Sequence, residues 1–301
     1  MSGHSHSHSH SHAVSAAGKH RSRLIITFAL VAGFFVIELL AALDSGSLAL
    51  LGDAGHMAAD VVTLGAALLA VHLAPRQDKF GRRTFGNYRV EVFASGLAVL
   101  IMLAVAVFIT IEAIGRFGHA PEPASGTMLA VGILGLVVNI IGILMLRGGS
   151  AESLNIKGAY LEVLADALGS VGVIVAAVLV GLTGSSWWDT IIALGIAVFI
   201  AVRAAMLGRE VLRVLAQSAP PGVEPAEIQA ALESLPGMAE VHDLHVWQLT
   251  SGMDVISAHI VTTRPDTMLA AQRLLRDDFG ISHITLQSES ASREECDHAG
   301  W

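Results

Sequence analysis

The sequence predicts an all-α six-helix transmembrane domain followed by a small cytoplasmic α+β domain of the ferredoxin-like kind. Three observations predict it. The 301 residues are 53% hydrophobic and 15% charged, whereas ordinary soluble domains carry about 25% charge. Six apolar segments follow one another, each near the ~20 residues that cross a bilayer as a helix. After residue 207 the long apolar runs stop and shorter, alternating patterns begin.

The first element is a polar arm. His4, His6, His8, His10 and His12 alternate with serine, a low-complexity tract that cannot build a core and reads as a disordered, metal-collecting arm over 1–20. Contiguous histidines, as in an engineered tag, are absent. The polar stretch ends in Lys19, Arg21 and Arg23 without a short apolar region and cleavage site, so the first apolar run is expected to remain as a span.

The spans are expected at 24–43, 49–74, 90–114, 128–146, 159–182 and 187–207. Turn-rich pieces such as Asp44-Ser45-Gly46-Ser47, Pro121-Glu122-Pro123 and Thr183-Gly184-Ser185-Ser186 separate them. The 30 glycines suit closely packed intramembrane helices. Arg76, Lys79, Arg82, Arg83 and Arg89 in the second connection and Arg147 and Lys157 in the fourth fall on the same side as the basic N-terminal flank, against Arg116 in the opposite loops. Because basic residues concentrate in cytoplasmic loops, both termini are expected in the cytoplasm.

Ser218-Ala219-Pro220-Pro221-Gly222 reads as a linker. A helix is expected at 225–235 with Pro225 near its start, strands at 241–249 and 255–261 around Thr250-Ser251-Gly252, a helix from the N-cap Asp266 to about Phe279, and a last strand at 284–287. This helix, strand, strand, helix, strand order points to the ferredoxin-like arrangement. The domain expectations are therefore 1–20 for the arm, 21–210 for the transmembrane domain, 211–290 for the α+β domain and 291–301 for a tail. A net charge of −8 gives no sign of a nucleic-acid partner, and the single Cys296 excludes an internal disulfide framework.

Chemistry is carried by two short stretches. His56 and Asp60 lie in the second segment, Glu162 and Asp166 in the fifth. Ionisable residues inside spans are costly and mark functional sites, and residues four apart share one helix face. Two such helices facing each other supply the four nitrogen and oxygen ligands that a tetrahedral divalent metal of the zinc kind accepts. With neutral histidine and three ionised carboxylates, the empty site would carry three negative charges in the bilayer interior. It should therefore hold protons that metal binding expels, which with alternating access makes a proton-coupled antiporter. Three carboxylates beside one imidazole do not rank zinc, cobalt, cadmium, manganese or iron.

Asp53 shares the face of His56 and Asp60, and reads equally as a way station for the ion or as a polar group at the end of its helix. Glu38, Glu112 and Asn139 read as interhelical glue or proton-path groups, and Asp189 as a residue facing water. In the α+β domain, His242, His245, His259 and His283 cluster around the strands, followed by Glu289, Cys296 and His298. Strict alternation puts His242 on the face of Leu244 and Val246 and His245 on the other. A regulatory metal site is expected to use some of His242, His259, His283, Glu289, Cys296 and His298.

These residues resemble the cation diffusion facilitator family, and most of all its bacterial cobalt, zinc and cadmium resistance branch. The matching stretches are Ser47-Leu48-Ala49-Leu50-Leu51-Gly52-Asp53-Ala54-Gly55-His56-Met57-Ala58-Ala59-Asp60, Phe85-Gly86-Asn87-Tyr88-Arg89-Val90-Glu91, Leu154-Asn155-Ile156-Lys157-Gly158-Ala159-Tyr160-Leu161-Glu162 and His242-Asp243-Leu244-His245-Val246-Trp247. The resemblance implies a homodimer of six-span protomers in the bacterial inner membrane. Such a dimer would export Zn2+ and similar ions from the cytoplasm in exchange for protons, with the C-terminal domains dimerising and binding metal. His56, Asp60 and Asp166 match the family's transport ligands. Glu162 departs from the histidine of most zinc-selective members, although the resistance branch is similar to this chain in having glutamate. The histidine-rich loop that some relatives place between the fourth and fifth spans is absent.

Two other readings compete. An intramembrane metalloenzyme would use similar ligands, but the His-Glu-x-x-His motif of membrane zinc proteases is nowhere in the chain. A membrane metal sensor would bind without moving ions. Sequence disfavours the sensor because it needs no four-ligand site inside its spans.

Overall fold

The computed structural model describes residues 21–73, 84–116, 123–146, 154–250 and 252–289; the side chains at 21–24, 67, 70–73, 146 and 154–162 lie outside that description. The chain divides into two units, with the boundary between Gly208 and Arg209 inside the helix Trp187–Leu215.

The first unit is a helical bundle. Its helices are α1 (Arg21–Ser45), α2 (Leu48–Leu73), α3 (Arg89–Gly115), α4 (Ser125–Leu146), α5 (Leu154–Thr183) and α6 (Trp187–Leu215). Among the described residues, Ile25–Ser45, Arg89–Gly115, Ser125–Met145, Val163–Thr183 and Trp187–Leu215 are long and apolar enough to cross a membrane. The 26-residue α2 is longer than three of these and carries Asp53, His56 and Asp60. Large apolar side chains such as Leu30, Phe93, Ile111 and Leu182 point outward and are exposed, which suits a lipid solvent. The interior is built from small residues and a few branched ones: Ala49, Leu50, Ile109, Met128, Val173 and Ala193 form one cluster. A second cluster joins Ala59 of α2, Ala98 and Met102 of α3, and Ile200 and Ala204 of α6.

Polar contacts fix how the helices meet. α1 ends at Gly46, whose φ of +68° is the left-handed conformation that glycine adopts cheaply. Arg116 then donates from Nη1 to the Gly46 carbonyl at 2.7 Å and pairs with Glu112 at 3.1 Å. Asn139 Nδ2 donates to Ser170 Oγ at 3.3 Å, joining α4 to α5.

Asp189 does not face water as its position in the sequence indicated; it is buried. The orphan N–H groups at the start of α2 claim its carboxylate. Leu48 N–H donates to Oδ2 at 2.8 Å, Ala49 N–H to Oδ1 at 3.2 Å, and Ser47 Oγ to Oδ1 at 2.6 Å. Ser47 Oγ in turn accepts from Leu50 N–H at 3.1 Å. A residue of α6 therefore caps α2, the helix that carries His56.

The second unit contains α7 (Pro225–Glu233), β1 (Met238–Thr250), β2 (Met253–Thr262), α8 (Thr267–Asp277) and β3 (His283–Glu289). β1 pairs antiparallel with β2, and β3 adds parallel to β2. Ile228 and Leu232 of α7 and Ala271 and Leu275 of α8 pack on Val241, Val246, Ile256, Ala258 and Ile260. The two helices thus cover one face of the sheet. Asp266 precedes α8, but its carboxylate makes no cap bond. Arg264 holds it instead at 3.1 and 2.8 Å, and that guanidinium keeps the carboxyl below its ordinary range.

The strict alternation expected along β1 is overturned. The pairing His242 with His259 is followed by His245 with Ser257, so β1 holds one extra residue there: a β-bulge. Asp243, at φ +50°, is the residue that turns it. Val241 and Val246 consequently both face the core. His242, next to Val241, lies on the opposite face from Leu244 and Val246, the same open face that His245 occupies.

Candidate metal centres

The first centre is assembled from α2 and α5. His56, Asp60 and Asp166 each offer a ligand atom, and these atoms all lie within 4.8 Å of one another. His56 Nε2 is 3.8 Å from Asp60 Oδ2 and 3.2 Å from Asp166 Oδ1. The His56–Asp60 spacing is the i, i+4 geometry of one helix face, whereas the Asp166 contact bridges two helices. His56 is almost wholly buried, while Asp60 and Asp166 keep side-chain accessibilities of 21% and 23%. The ring is held on one side only: His56 Nδ1 is buried without a hydrogen-bond partner among the described residues. Glu162 lies on α5 four residues before Asp166, hence one turn away on the same face; its side chain lies outside the described residues.

Asp53 is buried one turn before His56, at the α2–α5 contact. A Cβ placed on Gly169 would sit 2.6 Å from Asp53 Oδ1, so α5 makes room for this carboxylate with a glycine. Glu38 of α1 is also buried.

Sequence reasoning missed one residue in this centre. Arg203 of α6 places Nη1 2.6 Å from His56 Nε2 and 3.6 Å from Asp166 Oδ1. Its guanidinium carbon lies 5.8 Å from the centre of the Phe199 ring, one turn earlier on the same helix, within cation–π range. The signal was present: Arg203 falls inside the sixth apolar segment, where a charge is as costly as at His56.

The second centre lies on the open face of the sheet. His242, His259 and Glu289 offer ligand atoms within 4.8 Å of one another. Glu289 Oε2 is 3.1 Å from His242 Nε2, and its Oε1 is 2.8 Å from His259 Nδ1. The two imidazole rings meet edge to face, 5.5 Å between centroids. The pairing register explains the cluster, since His242 and His259 are direct cross-strand partners and Glu289 ends β3 beside Val261. The bulge adds Asp243, whose carboxylate reaches His245 at 2.9 Å and His259 at 3.6 Å.

His283 is not brought into this cluster. It pairs with Val255 at the far end of β3, about 20 Å along the strand from Glu289. Cys296 and His298, also expected as ligands, lie outside the described residues. Asp254, at the hairpin end of β2, is partly buried with no hydrogen-bond partner for Oδ1 among the described residues. Burial raises its carboxyl above the ordinary range.

Sequence comparisons match both units. The family model for the cation efflux transmembrane domain covers residues 24–216, and that for the cation efflux protein cytoplasmic domain covers residues 220–291. The metal cation efflux system protein CzcD of Cupriavidus metallidurans is 40% identical over 288 residues, 94% of this chain and 90% of that protein. A cadmium, cobalt and zinc/H(+)-K(+) antiporter of Bacillus velezensis is 36% identical over 92% of this chain and 91% of its own. The zinc transporter ZitB of Escherichia coli is 36% identical over 89% of this chain and 87% of its own. Among solved structures, the metal-bound C-terminal domain of the C. metallidurans CzcD transporter is 36% identical over 22% of this chain and 99% of that one, with a TM-score of 0.21.

Proposed function

The chain belongs to the cation efflux family, and from that premise we propose that it exports divalent transition-metal ions, Zn2+ together with Cd2+ or Co2+, from the cytoplasm in exchange for protons. The observation that carries the proposal is the convergence of His56, Asp60 and Asp166 from two helices inside an apolar bundle. The relatives' names support the cargo class: one is a metal cation efflux protein, one a cadmium, cobalt and zinc antiporter, and one a zinc transporter.

In this reading His56 Nε2 and one oxygen each from Asp60 and Asp166 hold the cargo, and Glu162 supplies the fourth ligand. Only deprotonated ligands bind metal, so cargo and protons compete for the same atoms. Metal loaded from the cytoplasm expels protons. Protons arriving from the opposite side expel metal, and the reloaded ligands return without leaving bare negative charge in the bilayer. Asp53 is a way station beside the ligand set. Apart from these proton transfers nothing in this cycle makes or breaks a covalent bond, and the reading is of a transporter and not an enzyme.

In the same reading the protein lies in the bacterial inner membrane with both termini in the cytoplasm; the basic residues that flank alternate connections support the orientation. It works as a homodimer whose C-terminal domains associate, and the His242, His259 and Glu289 cluster takes Zn2+ as a regulatory ion. Its two imidazoles and one carboxylate are ligands zinc accepts.

The test is metal-driven proton flux in sealed proteoliposomes with Zn2+, Cd2+, Co2+ and Mn2+. The unmodified chain should exchange metal for protons. Asp166→Ala should lose more than the roughly 10–100-fold that removal of a mere supporting group costs a metal site. Metal binding without flux in well-sealed vesicles would sink the transporter and bring forward a membrane metal sensor.

A further inference from the structure

Arg203 stands where a cargo ion would stand. A guanidinium N–H can only donate, so at 2.6 Å His56 Nε2 accepts from it with the one lone pair that a metal would use. A ligated metal sits about 2.0–2.1 Å from an imidazole nitrogen. Two cations cannot share that position. The 3.2 Å gap between His56 Nε2 and Asp166 Oδ1 then separates two acceptors, with the Arg203 nitrogen close to both.

We propose that Arg203 is a tethered counter-cation that fills the cargo position when no metal is bound and is displaced when metal arrives. The proposal rests on the reading of His56, Asp60 and Asp166 as the cargo site. Three observations support it. Arg203 comes from α6, a third helix beyond the two that supply the ligands, and Ala59, Ile200 and Ala204 pack α6 against α2 beside the site. Its positive charge offsets one of the two carboxylates it faces, in a setting where uncompensated charge is costly. Phe199, one turn earlier on α6, offers its ring face to the head group, an apolar surface on which a displaced guanidinium can rest.

Two consequences follow for transport. Arg203 offsets one negative charge in the metal-free protein, and the protons reloaded on the other ligands offset the rest, so the return step exposes no bare carboxylate. The incoming metal must also displace a resident cation, so binding is weaker and release faster than the ligands alone would give.

The experiment is saturation kinetics of Zn2+ flux in proteoliposomes for the unmodified chain, Arg203→Gln, Arg203→Lys and Asp166→Ala, with thermal unfolding measured alongside. Arg203→Gln should lower KM by about tenfold or more, tenfold being 1.4 kcal/mol, and should lower kcat because release becomes slow. Arg203→Lys should restore both in part. An unchanged or raised KM in folded Arg203→Gln overturns the proposal, as does a loss of thermal stability with no change in KM. If Asp166→Ala keeps full flux, the cargo-site reading itself fails; if Asp166→Ala is inactive and Arg203→Gln keeps the normal KM, only the counter-cation fails. A second measurement needs no variant. In the unmodified protein, saturating Zn2+ should speed modification of Arg203 by an arginine-directed dicarbonyl, read by mass spectrometry of the Arg203 peptide. Slower or equal modification overturns the proposal.

Discussion

Gly169 lacks a side chain where Asp53 needs the space. With a Cβ built there only 2.6 Å from Asp53 Oδ1, Gly169→Ala forces the carboxylate or the helix to move, and overpacking of this kind costs about 1–3 kcal/mol. The cost should appear as a lower unfolding temperature and lower flux. In an Asp53→Ala background the same substitution should be nearly neutral, because the obstructing oxygen is gone. A coupling below about 0.5 kcal/mol in that double-mutant cycle would mean the two residues do not share the space. The pair also shows why one residue of the site was legible and its neighbour was not. Asp53 announces itself as a charge in an apolar run; Gly169 is one of 30 glycines, and only a folded α5 shows which carboxylate it admits. His56, Asp60 and Asp166 were legible for the same reason as Asp53. Arg203 carries the same signal, but a guanidinium is no metal ligand, so the spacing of ligand-type residues does not single it out.

At the scale of elements, α2 depends on α6 for its beginning. Ser47, Leu48 and Ala49 all donate to Asp189, and hydrogen bonds to a charged group contribute about 1.5–3 kcal/mol each when measured singly. Removing the acceptor leaves buried donors unsatisfied. Asp189→Ala should therefore destabilise by at least about 2 kcal/mol, and it should lower flux because His56 lies two to three turns along the helix it anchors. Asp189→Asn, which keeps one acceptor oxygen, should fall between. Thermal unfolding and flux of the two variants check this, and stability and flux of Asp189→Ala equal to those of the unmodified chain would show that the cap does not matter. The helices themselves were readable: apolar runs expected at 24–43 and 90–114 became Arg21–Ser45 and Arg89–Gly115. The cap was not, since its partners are 140 to 142 residues apart and local sequence assigns Asp189 only to a helix end. The β1 bulge escaped for a different reason. Nothing local forces Asp243 to φ +50°, a conformation that costs non-glycine residues about 1–2 kcal/mol, and cross-strand pairing is what selects it.

Across the whole molecule, the two candidate metal centres are built by different physics and should answer to metal separately. The first centre sets ionisable groups in an apolar bundle where charge is costly, which on the proposed transport reading favours release. The sheet centre lines up half-buried His242, His259 and Glu289 on an open face, where binding adds directly to folding stability. An ion at 100 times its dissociation constant stabilises the state it binds by about 2.7 kcal/mol, a roughly hundredfold effect. Amide exchange of the full-length chain in detergent should therefore slow up to about a hundredfold along β1 and β2 when Zn2+ is added. His259→Ala removes a ligand from the sheet centre only, so the slowing should vanish there while saturating Zn2+ flux persists. Asp166→Ala should do the reverse, abolishing flux and leaving the slowing intact. If the regulatory reading holds, flux of His259→Ala at limiting Zn2+ should fall further below the unmodified chain than flux at saturation. Equal losses at both metal levels would assign the sheet centre a purely structural part, because an ion that only stabilises its domain has no differential effect on turnover.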